Sequence, residues 1–278
     1  MIPFLKMNGL GNDFAVIDVR DGTALPAPDD IRALADRSAG IGFDQFIAIA
    51  PPPADAVADA TMRIVNADGG EVESCGNAAR CVARLLLGES AGAEVRIASA
   101  GGMMTGWAEG EDIAVDMGVP RYGAAEIPLA DRSADPLHLT VPGYEALGPA
   151  ACVNVGNPHA VFFVEDAAAV ALHERGPALE RHPMFPERAN ITFAQVGAPD
   201  RVVARVWERG VGATRACGTA ACATLAVGHR RGLLGAEARV ILPGGPLIIA
   251  LRDGRIVMRG PTELEWQGTI TGATFTRA

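Results

Sequence analysis

The chain has 278 residues, 49% of them hydrophobic and 21% charged, with a formal net charge of −9. That composition suits a globular chain long enough for about two domains, and the negative charge argues against a nucleic-acid partner, which would want a basic face. No apolar run approaches the ~18 residues of a membrane span, so no membrane partner is expected.

The stretch from Met1 to Gly9 has no basic segment followed by an apolar one, and no signal peptide is expected. Five cysteines cannot all pair, and no Cys-x-x-Cys occurs. A reduced, cytoplasmic chain without a structural zinc is the natural reading. Residues 3–7 and 14–19 read as strands around Gly9-Leu-Gly-Asn-Asp-Phe14, whose glycines suggest a sharp turn that presents Asn12. Asp29 and Asp30 are suited to cap a helix running to Ser38, with Gly40 as its stop. Gly42 to Ile49 reads as a turn and a strand, Pro51-Pro-Pro53 as a loop, and 61–66 as an alternating strand. The glycine-bearing loop 67–74 leads to Cys75 and an Ala- and Leu-rich helix from Gly76 to about Leu87, stopped by Gly88. Its only charges are Arg80 and Arg84, and a helix apolar on most sides is expected to be wrapped by sheet. Residues 94–99, 102–109 and 112–117 read as a meander of strands with a hairpin turn at Gly101-Gly102.

After Met117-Gly-Val-Pro-Arg-Tyr122 the order repeats. Gly156-Asn-Pro-His-Ala-Val161 echoes Gly11-Asn-Asp-Phe-Ala-Val16, and 167–181 reads as the matching helix. Phe193-Ala-Gln195 echoes Phe43-Asp-Gln45, although its offset to the following cysteine is shorter by eight residues. A second buried helix is expected from Gly218 to about Arg231, then strands at 238–242, 246–252, 254–259 and 264–270. The spacings agree as well as the order. Arg63 and Asn66 lie twelve and nine residues before Cys75, and Arg205 and Glu208 lie twelve and nine before Cys217. Asn12 precedes Cys75 by 63 residues, and Asn157 precedes Cys217 by 60. Such ordered coincidences imply an internal duplication.

The expected fold is therefore α/β of the α+β type, with two pseudo-symmetric halves, each a mostly antiparallel sheet curled around a central helix. The N-terminal half would comprise 1–118 and 263–278 and carry Cys75. The C-terminal half would comprise 119–262 and carry Cys217, with the active-site cleft between the two. A doubly wound parallel sheet fits less well, because the turn before each long helix lacks Gly-x-Gly-x-x-Gly.

A thiol at a helix N-terminus sees unpaired backbone N–H groups and the positive end of the helix dipole, which favour thiolate. The same N–H groups can hold a carboxylate. Cys75 and Cys217 are thus candidate acid–base thiols, while Cys81, Cys152 and Cys222 sit in apolar runs and read as small buried hydrophobes. Asn12, Gln45, Asn66, Asn157, Asn190, Glu208 and Arg209, with the two Cys-Gly turns, would suit a small zwitterion bearing carboxylate and ammonium groups. His159, beside Asn157, is a candidate for tuning a thiol.

The chain resembles the diaminopimelate epimerases, amino-acid epimerases that work without a cofactor. The resemblance spans essentially the whole chain. It rests on Gly9-Leu-Gly-Asn-Asp-Phe14, Gly40-Ile-Gly-Phe-Asp-Gln45, Asn66-Ala-Asp-Gly69, Glu73-Ser-Cys-Gly-Asn77 with Arg80-Cys81, Gly156-Asn-Pro-His-Ala-Val161, and Glu208-Arg-Gly210 with Ala216-Cys-Gly-Thr219. It implies a homodimer that interconverts LL- and meso-diaminopimelate in bacterial lysine and peptidoglycan-precursor synthesis, with no pyridoxal phosphate and no metal. Cys75 and Cys217 would be the acid–base pair, supported by His159 and Glu208. Gly76, Asn77, Gly218 and Thr219 would lie at the helix ends that hold the reacting carboxylate. Asn12, Gln45, Asn66, Asn157, Asn190, Glu208 and Arg209 would contact substrate. Trp266 stands where the family usually has a dimer-interface tyrosine. Asn8 replaces a frequent histidine, Ala78 and Ala220 frequent glycines, and Ala213 a frequent acid. Two other readings compete. One is a proline or hydroxyproline racemase, disfavoured by the extra polar residues Asn66, Asn157, Asn190 and Arg209. The other is a protein that binds a metal or small ligand through Cys75, Cys217 and His159.

Overall fold

The structure, a computed structural model, describes residues 1–73 and 75–278. The chain divides into two compact units, Met1–Asp116 with Arg259–Ala278, and Met117–Met258. The elements run β1 (Ile2–Asn8), β2 (Asp13–Asp18), α1 (Pro28–Ala35), β3 (Gln45–Ala50), β4 (Ala60–Asn66), β5 (Glu71–Val72), α2 (Gly76–Glu89), β6 (Glu94–Ser99), β7 (Gly102–Glu109) and β8 (Asp112–Gly118). The same order recurs as β9 (Ala150–Asn154), β10 (Pro158–Phe163), α3 (Leu172–Glu180), β11 (Asn190–Ala198), β12 (Arg201–Glu208), β13 (Gly212–Thr214), α4 (Gly218–Arg230), β14 (Glu237–Leu242), β15 (Gly245–Arg252) and β16 (Arg255–Gly260). Strands β17 (Glu263–Thr271) and β18 (Thr274–Arg277) follow, with β17 antiparallel to β1. The fold is the expected mixed one, mostly sheet with few helices.

Strand pairing repeats as well. In the first unit β1–β2, β3–β4, β6–β7 and β7–β8 are antiparallel, while β2–β3 and β4–β6 are parallel. In the second, β9–β10, β11–β12 and β14–β15 are antiparallel, while β10–β11 and β12–β14 are parallel. Each parallel step is one that a helix crosses over, as parallel pairing demands. The central helices are buried along most of their length, α2 against β6 and β7, and α4 against β9, β10, β14 and β15. At Gly106 of β7 an added Cβ would stand 2.5 Å from Ala83 Cβ, so α2 lies directly on the strand backbone.

Four expectations about local structure are corrected. Helix α1 begins at Pro28, with Asp29 and Asp30 in its first turn rather than as caps, and it ends at Ala35. Asp36 stops it, because its carboxylate accepts from Ser38 N at 2.7 Å and Ala39 N at 2.8 Å, a local turn that competes with helix. Helix α2 runs through Gly88 to Glu89. Helix α3 starts at Leu172, not 167, because Arg205 Nη1 binds the carbonyls of Ala167, Ala168 and Val170 at 3.0, 3.1 and 3.0 Å and holds that segment open. The fourth concerns register. Gln45 stands opposite Phe14 in β2–β3, and the matching partner of His159 in β10–β11 is Asn190, not Gln195. The Phe-x-Gln echo is a coincidence of composition, five residues out of step.

Candidate functional site

In the N-terminal unit, Cys75 is the N-cap of α2 with extended backbone (φ −147°) and partial exposure. The first intrahelical bond is Ala79 N to Cys75 O at 2.9 Å, so the backbone N–H groups of Gly76, Asn77 and Ala78 precede it, as at any helix start. The loop after β1 passes close by: a Cβ at Gly9 would lie 3.1 Å from Asn77 O, and Gly11 has a φ of +80° that favours glycine. Asn8 fastens this loop, its Oδ1 accepting from Gly11 N at 2.7 Å and its Nδ2 donating to Asp13 at 2.9 Å. The loop delivers Asn12, whose Oδ1 lies 4.0 Å from Cys75 Sγ and 3.4 Å from Asn77 Nδ2. Register sets Gln45 opposite Asn66, and Gln45 Nε2 donates to Asn66 Oδ1 at 3.0 Å. Gln45 Oε1 is buried with no hydrogen-bond partner, an acceptor suited to a ligand donor.

In the C-terminal unit, Cys217 is the N-cap of α4, with φ −126° and only 5% exposure. Its sulfur lies 3.4 Å from Thr219 Oγ1. Glu208, at the end of β12, accepts from the Thr214 hydroxyl. The β11–β12 register runs Ile191 opposite Trp207, so one step on it brings Asn190 level with Glu208, as Gln45 is with Asn66. His159 is fully buried, and its Nε2 lies 2.8 Å from Asn157 Oδ1, a pairing that calls for the hydrogen on Nε2. Its Nδ1 has no hydrogen-bond partner. Burial first, and the Arg209 charge second, pull His159 down to about 3, so the ring is neutral near pH 7. Arg209 is exposed, with Nη1 resting 3.2 Å from Glu187 O.

One expectation about the chemistry is overturned. Helix-end placement by itself favours thiolate at both cysteines, and the correction concerns Cys217 alone. At Cys217 burial pushes the thiol well above its usual range and the Glu208 charge pushes it further; the Thr219 contact and the Ala220 N–H only partly oppose them. Desolvation of a sulfur anion outweighs a helix-end field that acts over one turn. Cys217 is therefore held as a thiol in this structure. Among the other thiols, Cys81 and Cys152 are fully buried, and burial raises Cys81 to about 12 and Cys152 higher still, as befits packing residues.

Two side chains assigned to substrate contact have structural partners. Asn190, 3% exposed, donates to Pro158 O at 3.0 Å and accepts from Arg209 N at 2.9 Å, tying β10 to the turn that carries Arg209. Asn77, 2% exposed, accepts from Arg80 Nη1 at 3.0 Å. Residues to which the sequence assigned no role in the site support the set. Asp44 holds Asn12, fully buried Arg80 holds Asn77, and Glu180 holds the turn after β12. Arg80 carried a signal, a charge inside an otherwise apolar helix. Glu180 carried none, since a glutamate at a helix end reads as solvated. Trp266 is half-buried on β17, its ring 5.2 Å from Phe4 and 5.9 Å from Phe275, with Arg277 above it at 4.8 Å. Among the described residues, no group of three or more His, Cys, Asp or Glu is arranged to hold a metal ion, and no helix is long and apolar enough to cross a membrane.

Comparison with known proteins bears on the whole chain. The family model described as diaminopimelate epimerase matches residues 4–123 and 151–265. Diaminopimelate epimerase of Phenylobacterium zucineum is 48% identical over 273 residues, covering 96% of this chain and 97% of the relative. Its namesake in Erythrobacter litoralis is 50% identical over 270 residues, covering 96% and 97%. Among solved structures, a probable proline racemase from Agrobacterium radiobacter superposes with a TM-score of 0.69 at 17% identity, covering 98% of this chain and 93% of the other. A protein of the phenazine-biosynthesis PhzF family from Enterococcus faecalis superposes with a TM-score of 0.67 at 15% identity, covering 96% and 97%. At those identities the likeness is one of fold.

Proposed function

The chain belongs to the diaminopimelate epimerase family, and from that membership we propose that it interconverts LL- and meso-2,6-diaminopimelate by two-base proton transfer, without pyridoxal phosphate. The observation that carries the reading is that each half sets a cysteine at the N-cap of a buried helix. One cysteine, as thiolate, takes the α-proton, and the other, as thiol, returns a proton to the opposite face of the carbon. The raised Cys217 thiol supports its acting as the acid in the resting state. Backbone N–H groups at Gly76, Asn77, Gly218 and Thr219 hold the reacting carboxylate as negative charge builds on it, and donors so preorganised are worth roughly 2.7–4 kcal/mol each. Neutral His159 and Glu208 support Cys217. Asn12, Gln45, Asn66, Asn157, Asn190 and Glu208 line the substrate, and the Arg209 guanidinium takes a carboxylate with its planar fork.

The same reading assigns the enzyme to lysine and peptidoglycan-precursor synthesis in the cytoplasm, as a homodimer with Trp266 at the interface. The relatives at 48% and 50% identity carry the diaminopimelate name, whereas the racemase shares only the fold, which favours diaminopimelate over proline.

Deuterium labelling tests the mechanism. Each thiol holds one proton and serves one face, so in deuterated water early product carries deuterium at the α-carbon and recovered substrate almost none. Cys75→Ala and Cys217→Ala each lose epimerisation. Substantial early deuterium in unreacted substrate, together with an active Cys75→Ala enzyme, would reject both assignments.

A further inference from the structure

The amides around Cys75 are not free to choose their direction. Asp44 Oδ2 accepts from Asn12 Nδ2 and from Asp13 N, both at 2.8 Å, and its Oδ1 accepts from Arg37 Nη2 at 2.7 Å. An ionised carboxylate only accepts, so Asn12 must turn its NH2 toward Asp44 and its oxygen the other way. At the far end Arg80, wholly inside the protein, donates through Nη1 to Asn77 Oδ1 at 3.0 Å. A guanidinium only donates, so Asn77 must turn its NH2 outward, and it meets Asn12 Oδ1 at 3.4 Å. Two amides thus run head to tail between a cation and an anion. The oxygen they jointly aim lies 4.0 Å from Cys75 Sγ.

We propose that Arg80 and Asp44 are positioning residues that lock the Asn77–Asn12 relay so that Asn12 presents an acceptor, and never an N–H donor, to Cys75. An acceptor beside sulfur favours the protonated thiol, whereas a turned amide would donate to the thiolate. By withholding a donor from the Cys75 thiolate, the relay keeps that anion from being over-stabilised and so basic enough to take the α-proton. The other half is built differently. Thr219 occupies the place of Asn77, and its hydroxyl rotates to donate or accept. The inference rests on Cys75 being an acid–base thiol, but its test needs no substrate, so it fails separately from the choice of diaminopimelate.

The test compares Asp44→Ala with Asp44→Asn by the rate at which iodoacetamide alkylates Cys75, read by peptide mass spectrometry near pH 7. Other charges tied to this relay are Arg80 on α2, Arg37 after α1, and Asp13 with Lys6 on β2 and β1. Loss of the Asp44 charge is common to both variants. Asparagine, however, keeps one acceptor oxygen for Asn12 and Asp13 N, and alanine keeps none. The alanine variant should react roughly three- to tenfold faster than the asparagine variant, the effect of one hydrogen bond reversing its preference. Near pH 10.5, where about all of an ordinary thiol is ionised, the two should react alike. Equal rates near pH 7 overturn the proposal. So does an excess that persists at high pH, which would mean that alanine had merely opened the loop.

Discussion

Glu180 is the residue whose removal should most clearly show what holds the C-terminal turn in place. It ends α3 with only 3% exposure. Its Oε2 accepts from Trp207 Nε1 at 2.8 Å, and its Oε1 accepts from Gly210 N at 3.0 Å with Arg188 Nη1 3.7 Å away. These bonds bracket Glu208 and Arg209. Hydrogen bonds to a charged acceptor contribute about 1.5–3 kcal/mol each. The half-buried Trp207 indole should lose its share in full when Glu180 becomes alanine. Gly210 is exposed, so water recovers most of its bond, and Arg188, 52% exposed, adds at most ~1 kcal/mol. Glu180→Ala should therefore cost about 2–4 kcal/mol, and Glu180→Gln, which keeps one carbonyl oxygen, about half as much. Urea unfolding followed by tryptophan emission measures both, and kcat/KM in buffer should fall with them because the turn carrying Arg209 loosens. An alanine variant within ~0.5 kcal/mol of the parent, the range of an ordinary surface substitution, would refute this account of the turn.

His159 makes acid stability pH-dependent. Its folded value, about 3, lies below the ordinary 6.5, so the unfolded chain binds a proton that the folded one refuses. That contribution is full above pH 6.5 and is lost as pH falls toward 3. His159→Phe, which installs the residue its counterpart Phe14 already has, should flatten the acid limb of urea-derived stability by on the order of 5 kcal/mol; an unchanged limb would count against a buried neutral ring. Arg209→Lys should lower kcat/KM roughly 10- to 100-fold, because a point charge cannot replace a bidentate fork; parental kinetics would remove Arg209 from the site. Gly106→Ala should cost about 1–3 kcal/mol by thermal unfolding, since its Cβ would meet Ala83 at 2.5 Å and push α2 off the strand; a neutral result would mean that α2 yields.

The sequence by itself determined whatever is carried by short covalent spacing. The repeat of Asn66 and Glu208 nine residues before their cysteines already placed them at matching ends of β4 and β12, because strand, turn and helix follow one another without long intervening loops. The helix-capping position of Cys75 and Cys217 was legible for the same reason. Only the tertiary structure decided how distant segments meet. That Asn190 rather than Gln195 corresponds to Gln45 follows from the parallel β10–β11 register, which is set by packing across a crossover and not by local composition. That α3 begins at Leu172 follows from Arg205 reaching the carbonyls of 167, 168 and 170 across 35 or more residues. The state of Cys217 turned on burial, a sum over every neighbour the fold supplies, and that sum reversed what the helix end alone would favour. Arg80 shows the same limit: the residue was visible in the sequence, but only the fold showed that its charge faces inward, onto Asn77.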